Sequence, residues 1–297
     1  MTRSPNFFII GAPKAGTTSM HIALSKHPSV FMSSFKEPHY FANDLQHPGY
    51  IRDSKKYLEL FRDATDANKI IGESSVYYAS SECAIANIAK KIPDAKLLFM
   101  LRNPIELAQS LHAQKIWSGT EDILDFETAW NTQQARSQGH QIPRCCTIPM
   151  HLQYGETCKI GRQLNNILSV FPKEQVHTIY MEDLRHNVEQ ELTDLQTFLD
   201  IPPESLTLIH HNQNKRPKSL LIHTLTRRIV RSMNSIRTKL PLIPSTRLGP
   251  LILKLNKQIA VRKKISVNMQ NDLKSYFTDD ISLLASLTNH DLTHWLS

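Results

Sequence analysis

The stretch Gly11-Ala12-Pro13-Lys14-Ala15-Gly16-Thr17-Thr18 constrains this chain more than any other. It follows an apolar run, Phe7-Phe8-Ile9-Ile10, that reads as a buried strand, and it precedes a periodic apolar stretch from Met20 to Leu24 that reads as a helix. Strand, glycine loop and helix in that order cradle an anion, because the loop N–H groups and the helix N-terminus point at one place. The glycine spacing is that of a phosphate-binding loop, G-x-x-x-x-G. A nucleoside-triphosphate loop continues Gly-Lys-Ser/Thr, but here Thr17 stands at that lysine position and the lysine is internal, at Lys14. The site has the shape of a phosphate cradle and is wired for a different anion.

A second run, Lys96 to Leu101, has strand character and ends in Arg102-Asn103-Pro104, with a helical pattern after it through Leu107, Ala108 and Leu111. Asn103 suits an N-cap and Pro104 the first helical position. Arg102 at the end of a strand offers a planar fork to a phosphate, and Ser110 on the following helix offers one more hydroxyl. A third segment, Lys36-Glu37-Pro38-His39-Tyr40-Phe41, places a carboxylate and an imidazole two residues apart.

Together these motifs resemble those of sulfotransferases that use 3′-phosphoadenosine 5′-phosphosulfate (PAPS). The resemblance implies that Pro13, Lys14, Ala15, Gly16, Thr17 and Thr18 bind the 5′-phosphosulfate, with Lys14 catalytic. It implies that Arg102 and Ser110 hold the 3′-phosphate, with added charge from Lys215, Arg216 and Lys218. The third segment resembles the Glu-x-x-Tyr/Phe-Phe element of carbohydrate sulfotransferases. Glu37 is then the general base that takes a proton from the attacking hydroxyl or amine, with His39 the rival base. Gly72-Glu73-Ser74-Ser75-Val76-Tyr77-Tyr78 is similar to a Glu-Lys-Ser/Thr-Pro-x-Tyr segment, with Ser74 in place of the lysine and Val76 in place of the proline. Tyr180-Met181-Glu182-Asp183-Leu184 resembles a late strand-to-helix turn in which Glu182 and Asp183 are helix-start acids, and Tyr276 to Trp295 resembles a common family ending. Cys158-Lys159-Ile160 departs from relatives that carry a small residue and a tyrosine there.

With 297 residues, one large α/β domain spanning 1–297 is the default. Strands are expected near 6–10, 29–33, 69–72, 96–101 and 175–180. Helices are expected at 17–26, 54–61, 82–91, 104–116, 157–170 and 183–199, and a helical C-terminal portion follows. This alternation predicts a P-loop-like parallel sheet flanked by helices, with ligands at the carboxyl ends of the strands. No apolar run is long enough to cross a bilayer, and Met1-Thr2-Arg3-Ser4-Pro5 leads into the first strand without a signal peptide, so a cytoplasmic, bacterial setting is expected. Cys83, Cys145, Cys146 and Cys158 show no metal spacing, the fourteen histidines are scattered, and the implied chemistry calls for no metal. A reduced compartment is the simplest reading, with redox activity of the vicinal Cys145-Cys146 left open.

Charge is uneven. Residues 214–264 hold fourteen Lys or Arg and no Asp or Glu, while the whole chain carries +8. Ile222, Leu225, Ile229, Met233, Ile236 and Leu240 follow helical spacing, as do Leu248, Ile252, Leu255 and Ile259, with Pro241 and Pro244 between the two sets. Two basic amphipathic helices are expected, and three uses stay open: solvated outer faces, a surface for an anionic glycan or lipid-linked sugar or for the cofactor, and peripheral membrane contact. Nucleic acid is not expected, because the segment has no Phe, Tyr or Trp to stack on bases. The expected activity is transfer of the sulfuryl group from PAPS to a hydroxyl or amine of an acceptor, a carbohydrate or glycan, with adenosine 3′,5′-bisphosphate leaving. The alternatives are a P-loop small-molecule kinase and a catalytically degenerate module that binds an anionic polymer. The acceptor, the choice between O- and N-sulfation and the oligomeric state are not written in the sequence.

Overall fold

The computed structural model describes residues 3–208 and 264–297, together with 215–217, 226, 229, 252 and 255–259. Five strands, β1 (Phe7–Gly11), β2 (Val30–Met32), β3 (Ile70–Ser74), β4 (Lys96–Leu101) and β5 (Val176–Tyr180), form one parallel sheet in the order β2-β3-β1-β4-β5. The central strands β1 and β4 are continuous apolar runs rather than alternating ones, as expected for strands covered on both faces. Phe7, Phe8, Ile9 and Ile10 are all fully buried, as are Leu97 through Leu101. In chain order β1 leads to β2 at one edge, the chain returns to β3 beside β1, and it then crosses over to β4 on the other side of β1. The crevice beyond the carboxyl ends of β3, β1 and β4 is therefore where such a sheet takes its ligand.

The helices are α1 (Thr17–Leu24), α2 (Ser54–Glu59), α3 (Ala84–Lys91), α4 (Pro104–Ser118), α5 (Phe126–Asn131), α6 (Gln133–Ser137), α7 (Tyr154–Thr157), α8 (Ile160–Leu168), α9 (Asp183–His186), α10 (Val188–Leu199) and α11 (Val267–Thr288). The chain divides into two compact units: Met1–Ala108 with Gly155–Asn212 and Asn268–Ser297, and Gln109–Tyr154 with Gln213–Val267. The first contains the sheet. In the second, Arg136 makes a bidentate pair with Glu121 at 2.6 and 2.8 Å, both side chains fully buried, and the Tyr154 hydroxyl donates to the same carboxylate at 2.6 Å.

Each expected strand forms, and β3 runs on through Glu73 and Ser74, two residues past its expected end. The helix expected over 183–199 is interrupted at Asn187, whose backbone (φ −133°, ψ 48°) leaves the helical region, so α9 and α10 are separate. The helix expected from 157 begins at Ile160, because the first N–H groups of α8 belong to a cap from elsewhere: the Asp280 carboxylate of α11 accepts from Gly161 and Arg162 at 2.9 and 2.8 Å. Most of the two basic helices expected within 214–264 lies outside the described residues, and so do Lys218 and the apolar positions Ile222, Leu225, Met233, Ile236, Leu240 and Leu248. Within that segment Lys257–Ile259 is a strand paired antiparallel with Lys215–Pro217, so the helical spacing does not extend through Ile259. Pairing between distant stretches overrides the local periodicity there. No helix among the described residues is long and apolar enough to cross a membrane. All four cysteines are free.

Candidate active site

The loop between β1 and α1 is shaped by its glycines. At Gly11 (φ +153°) a Cβ would meet the Val76 carbonyl oxygen at 3.0 Å and the Phe99 ring at 3.2 Å, so only glycine lets β1 end between its neighbours. Gly16 (φ +92°) is the left-handed N-cap of α1, and Lys14 also adopts positive φ (69°). The Ala12 N–H is bound to the Met100 carbonyl at 2.8 Å and the Ala15 N–H to the Ala12 carbonyl at 3.2 Å, which leaves the turn closed on β4. The first N–H groups of a helix have no intrahelical acceptor, and here Thr17 and Thr18 supply them behind Gly16. Pro13, Lys14, Ala15 and Gly16 form this turn, and Thr17 and Thr18 open α1.

Arg102, just past β4, locks the turn from the side. Its Nη1 donates to the Lys14 carbonyl at 3.0 Å, while Nε and Nη2 donate to Glu106 at 3.1 and 2.7 Å. The two anion motifs are therefore one assembly, but the arginine fork is already engaged. Asn103 caps α4 as its sequence suggests, accepting from the Ile105 N–H at 2.9 Å. Ser110 is buried on α4, in the stretch that belongs to the second unit.

The carboxylate side is built on the end of β3. The Glu37 N–H donates to the Ser74 carbonyl at 2.9 Å, while Ser74 Oγ bonds the His21 Nδ1 of α1 at 2.8 Å. One serine thus ties the Glu37 segment to the helix that the glycine loop starts. Glu37 is 40% exposed; Lys36 Nζ lies 3.2 Å from its Oε1 and His39 Nε2 lies 3.7 Å from its Oε2. Burial pushes this carboxyl up, but the His39 ring and the Lys36 charge outweigh it, and the group is held at about 2. Glu37 is thus ionised at neutral pH. His39 is fully buried with no hydrogen-bond partner on either ring nitrogen, its ring 4.2 Å from that of Tyr50, and burial lowers its basicity. Burial, then the Lys36 charge, bring His21 down to about 4.

Beneath this segment lies a fully buried carboxylate, Glu73. It accepts from Ser75 Oγ at 2.7 Å, the Tyr78 hydroxyl at 2.7 Å and the Tyr57 hydroxyl at 3.3 Å. Burial outweighs those three donors and pushes its carboxyl up to about 7.

Residues 4–227 match the sulfotransferase domain family model, about three-quarters of the chain. This chain belongs to the sulfotransferase domain family. Over 211 residues it is 29% identical to the human bifunctional heparan sulfate N-deacetylase/N-sulfotransferase 2, an alignment that takes in 68% of this chain and 22% of that protein. It is 28% identical over 252 residues to carbohydrate sulfotransferase 15 of Rattus norvegicus, with 68% and 44% covered. The chain thus spans less than half the length of these curated relatives. Among solved structures, a sulfotransferase from Alicyclobacillus acidocaldarius shares the fold at a TM-score of 0.72 and 23% identity, covering 99% of this chain and all of that one. A mouse sulfotransferase, SULT7A1, solved in complex with PAP, matches at 0.52 and 12%, with 97% and 88% covered.

In this sulfotransferase Arg102 braces the turn that carries Lys14, and Glu37 is joined to that turn's helix through Ser74 and His21. The sequence reading passed over Lys36, His21, Ser74 as a bridge, and Glu73 as a buried carboxylate. The signal for Glu73 was a lone acid directly after Ile70-Ile71-Gly72, inside an otherwise apolar strand run. Glu182, read as a helix-start acid, does stand at the N-cap of α9, but its carboxylate also accepts from Trp295 Nε1 at 2.9 and 3.1 Å.

Proposed function

We propose that this sulfotransferase moves the sulfuryl group of PAPS to a hydroxyl or amine of an acceptor, a carbohydrate or glycan, by in-line displacement, and that residues 1–297 act as one catalytic domain. The observation that carries the reading is the double attachment of Ser74, which links the carboxylate segment to the helix behind the lysine loop. The left-handed Gly16 and the start of α1 fit a bound 5′-anion, the internal lysine fits a charge that builds up on it, and the names of the curated relatives favour a carbohydrate acceptor. PAPS would supply the sulfuryl group and a bisphosphate leaving group.

The chain's own residues then have separate tasks. Gly16, Thr17 and Thr18 bind the 5′-phosphate through backbone N–H groups, and Lys14 neutralises the negative charge that grows there. Arg102 and Ser110 read a 3′-phosphate, for which Glu106 yields its hold on the Arg102 fork. Glu37 accepts the acceptor's proton. Lys36 holds Glu37 in its ionised, weakly basic form, and Lys36 drawn away toward the phosphosulfate would leave Glu37 a stronger base.

Thermal shift tests the donor half. Adenosine 3′,5′-bisphosphate at a hundredfold excess over Kd should stabilise the protein by about 2.7 kcal/mol, with ADP and ATP well below it. Arg102→Ala should abolish the preference. Equal shifts from ADP and the bisphosphate would refute the 3′-phosphate assignment. A screen of sugar hydroxyls, sugar amines and small alcohols with labelled PAPS then identifies the acceptor class.

A further inference from the structure

Glu37 and His39 both adopt left-handed backbone, with φ of 63° and 47°. Non-glycine residues are uncommon there, glutamate especially, and two of them in three positions persist only where the surroundings over-determine them. The constraint comes from the end of β3. Ser75 Oγ donates to Glu73 and accepts from the His39 N–H at 3.0 Å. The Tyr78 hydroxyl donates to Glu73 at 2.7 Å and accepts from the Phe41 N–H at 3.3 Å. Each hydroxyl is oriented by the carboxylate, so that its lone pairs face the 39–41 backbone. The third hydroxyl, that of Tyr57, reaches the same carboxylate but bonds no backbone group of 37–41.

We infer that Glu73 is a positioning residue for Glu37: from its buried place at the end of β3 it orients the Ser75 and Tyr78 hydroxyls, and these hold the left-handed turn that presents Glu37 to the acceptor. The inference rests on the reading of Glu37 as the base. It accounts for an arrangement otherwise costly to keep, a carboxylate with none of its surface in water and no cation bonded to it. Three hydroxyl donors satisfy its oxygens, and two of the three spend their acceptor capacity on the active-site segment.

The three hydroxyls separate this role from simple satisfaction of a buried charge. Amide hydrogen exchange on the full chain needs no acceptor. Ser75→Ala should speed exchange at His39, and Tyr78→Phe at Phe41, each by tenfold or more over the wild type. Tyr57→Phe removes a hydroxyl from the same carboxylate and should change neither amide. With an acceptor found in the labelled-PAPS screen, Ser75→Ala and Tyr78→Phe should lower kcat about tenfold and leave KM for PAPS unchanged, while Tyr57→Phe keeps the wild-type kcat. Unchanged exchange and kcat in the first two variants, or equal losses in all three, would overturn the positioning role while leaving Glu37 as base. Full turnover in Glu37→Gln would remove the base reading, and this inference with it.

Discussion

At the scale of single residues, the carboxylates of Glu37 and Glu73 have opposite environments. Glu37 stands beside a cation and is held low; Glu73 is shut away from water and pushed up. The catalytic prediction is a split. Lys14→Ala should weaken PAPS binding and slow the chemical step together. Glu37→Gln should leave bisphosphate affinity nearly intact and cost about 10²–10⁴-fold in kcat, the usual range for a general base. Activity that survives Glu37→Gln but not His39→Ala would transfer the role to the imidazole. The stability prediction runs with pH. The Glu73 carboxyl rises from an ordinary 4.5 to about 7, so the folded state keeps a proton that the unfolded chain gives up. Its contribution is full below about 4.5 and is lost as pH rises through about 7, on the order of 3 kcal/mol across that window. The groups facing it are the hydroxyls of Ser75, Tyr57 and Tyr78 and, at longer range, the Lys36 charge. Urea melts from pH 4 to 8 should show the wild type losing stability relative to Glu73→Gln as pH rises; parallel curves would contradict the assignment. Glu37 has the opposite sign: its contribution is full above 4.5 and is lost only as pH falls toward 2.

At the scale of elements, α8 depends on a partner far along the chain. Asp280 on α11 accepts the Gly161 and Arg162 N–H groups, replacing the local N-cap that Lys159 does not supply. Asp280→Ala should cost about 1–2 kcal/mol, the usual worth of a cap, measurable by denaturant melts. Gly161→Ala should destabilise as well, because a Cβ there would lie 2.1 Å from the Asp280 carbonyl oxygen. This contact also shows where the sequence stops being readable. The order of strands and helices, the glycine turn and the Asn103 cap are local, set by apolar runs and by residues within a turn of each other, and they are legible. The start of α8 was misplaced because its cap comes from 119 positions away. The role of Ser74 was hidden for the same reason, since it holds His21 of α1 and the Glu37 N–H, and that of Glu73 because the two nearby hydroxyls it orients, of Ser75 and Tyr78, reach on to the distant 39–41 backbone. The engagement of Arg102 with the Lys14 carbonyl, across 88 positions, was equally invisible, although each residue had been singled out.

At the scale of the whole molecule, the family match and the parallel sheet agree on a sulfotransferase fold, and the acceptor belongs to surfaces that vary within one fold. Charge offers the one global handle. Residues 214–264 carry fourteen cationic side chains and no acid, leaving −6 for the rest. If that charge serves an anionic acceptor, changing Arg227, Arg228 and Arg231 to Glu should raise KM for such an acceptor, with the effect fading as salt screens it beyond about 8 Å, and should leave PAPS affinity nearly unchanged. An unaltered KM in the folded triple variant would assign the segment a structural role only. Trp295 braces the rim of the sheet beside Arg102. Trp295 is held by Glu182 through its indole, and its carbonyl accepts from Asn103 Nδ2 at 3.3 Å, next door to Arg102. Translation proceeds from the N-terminus at about 5–20 residues per second, so the glycine turn leaves the ribosome roughly 15–60 s before the tryptophan that steadies the neighbouring strand ends. The nascent chain therefore holds its glycine turn and all five strands well before Trp295 can fasten that rim, and a variant lacking Trp295 keeps the sheet but leaves the rim unpinned.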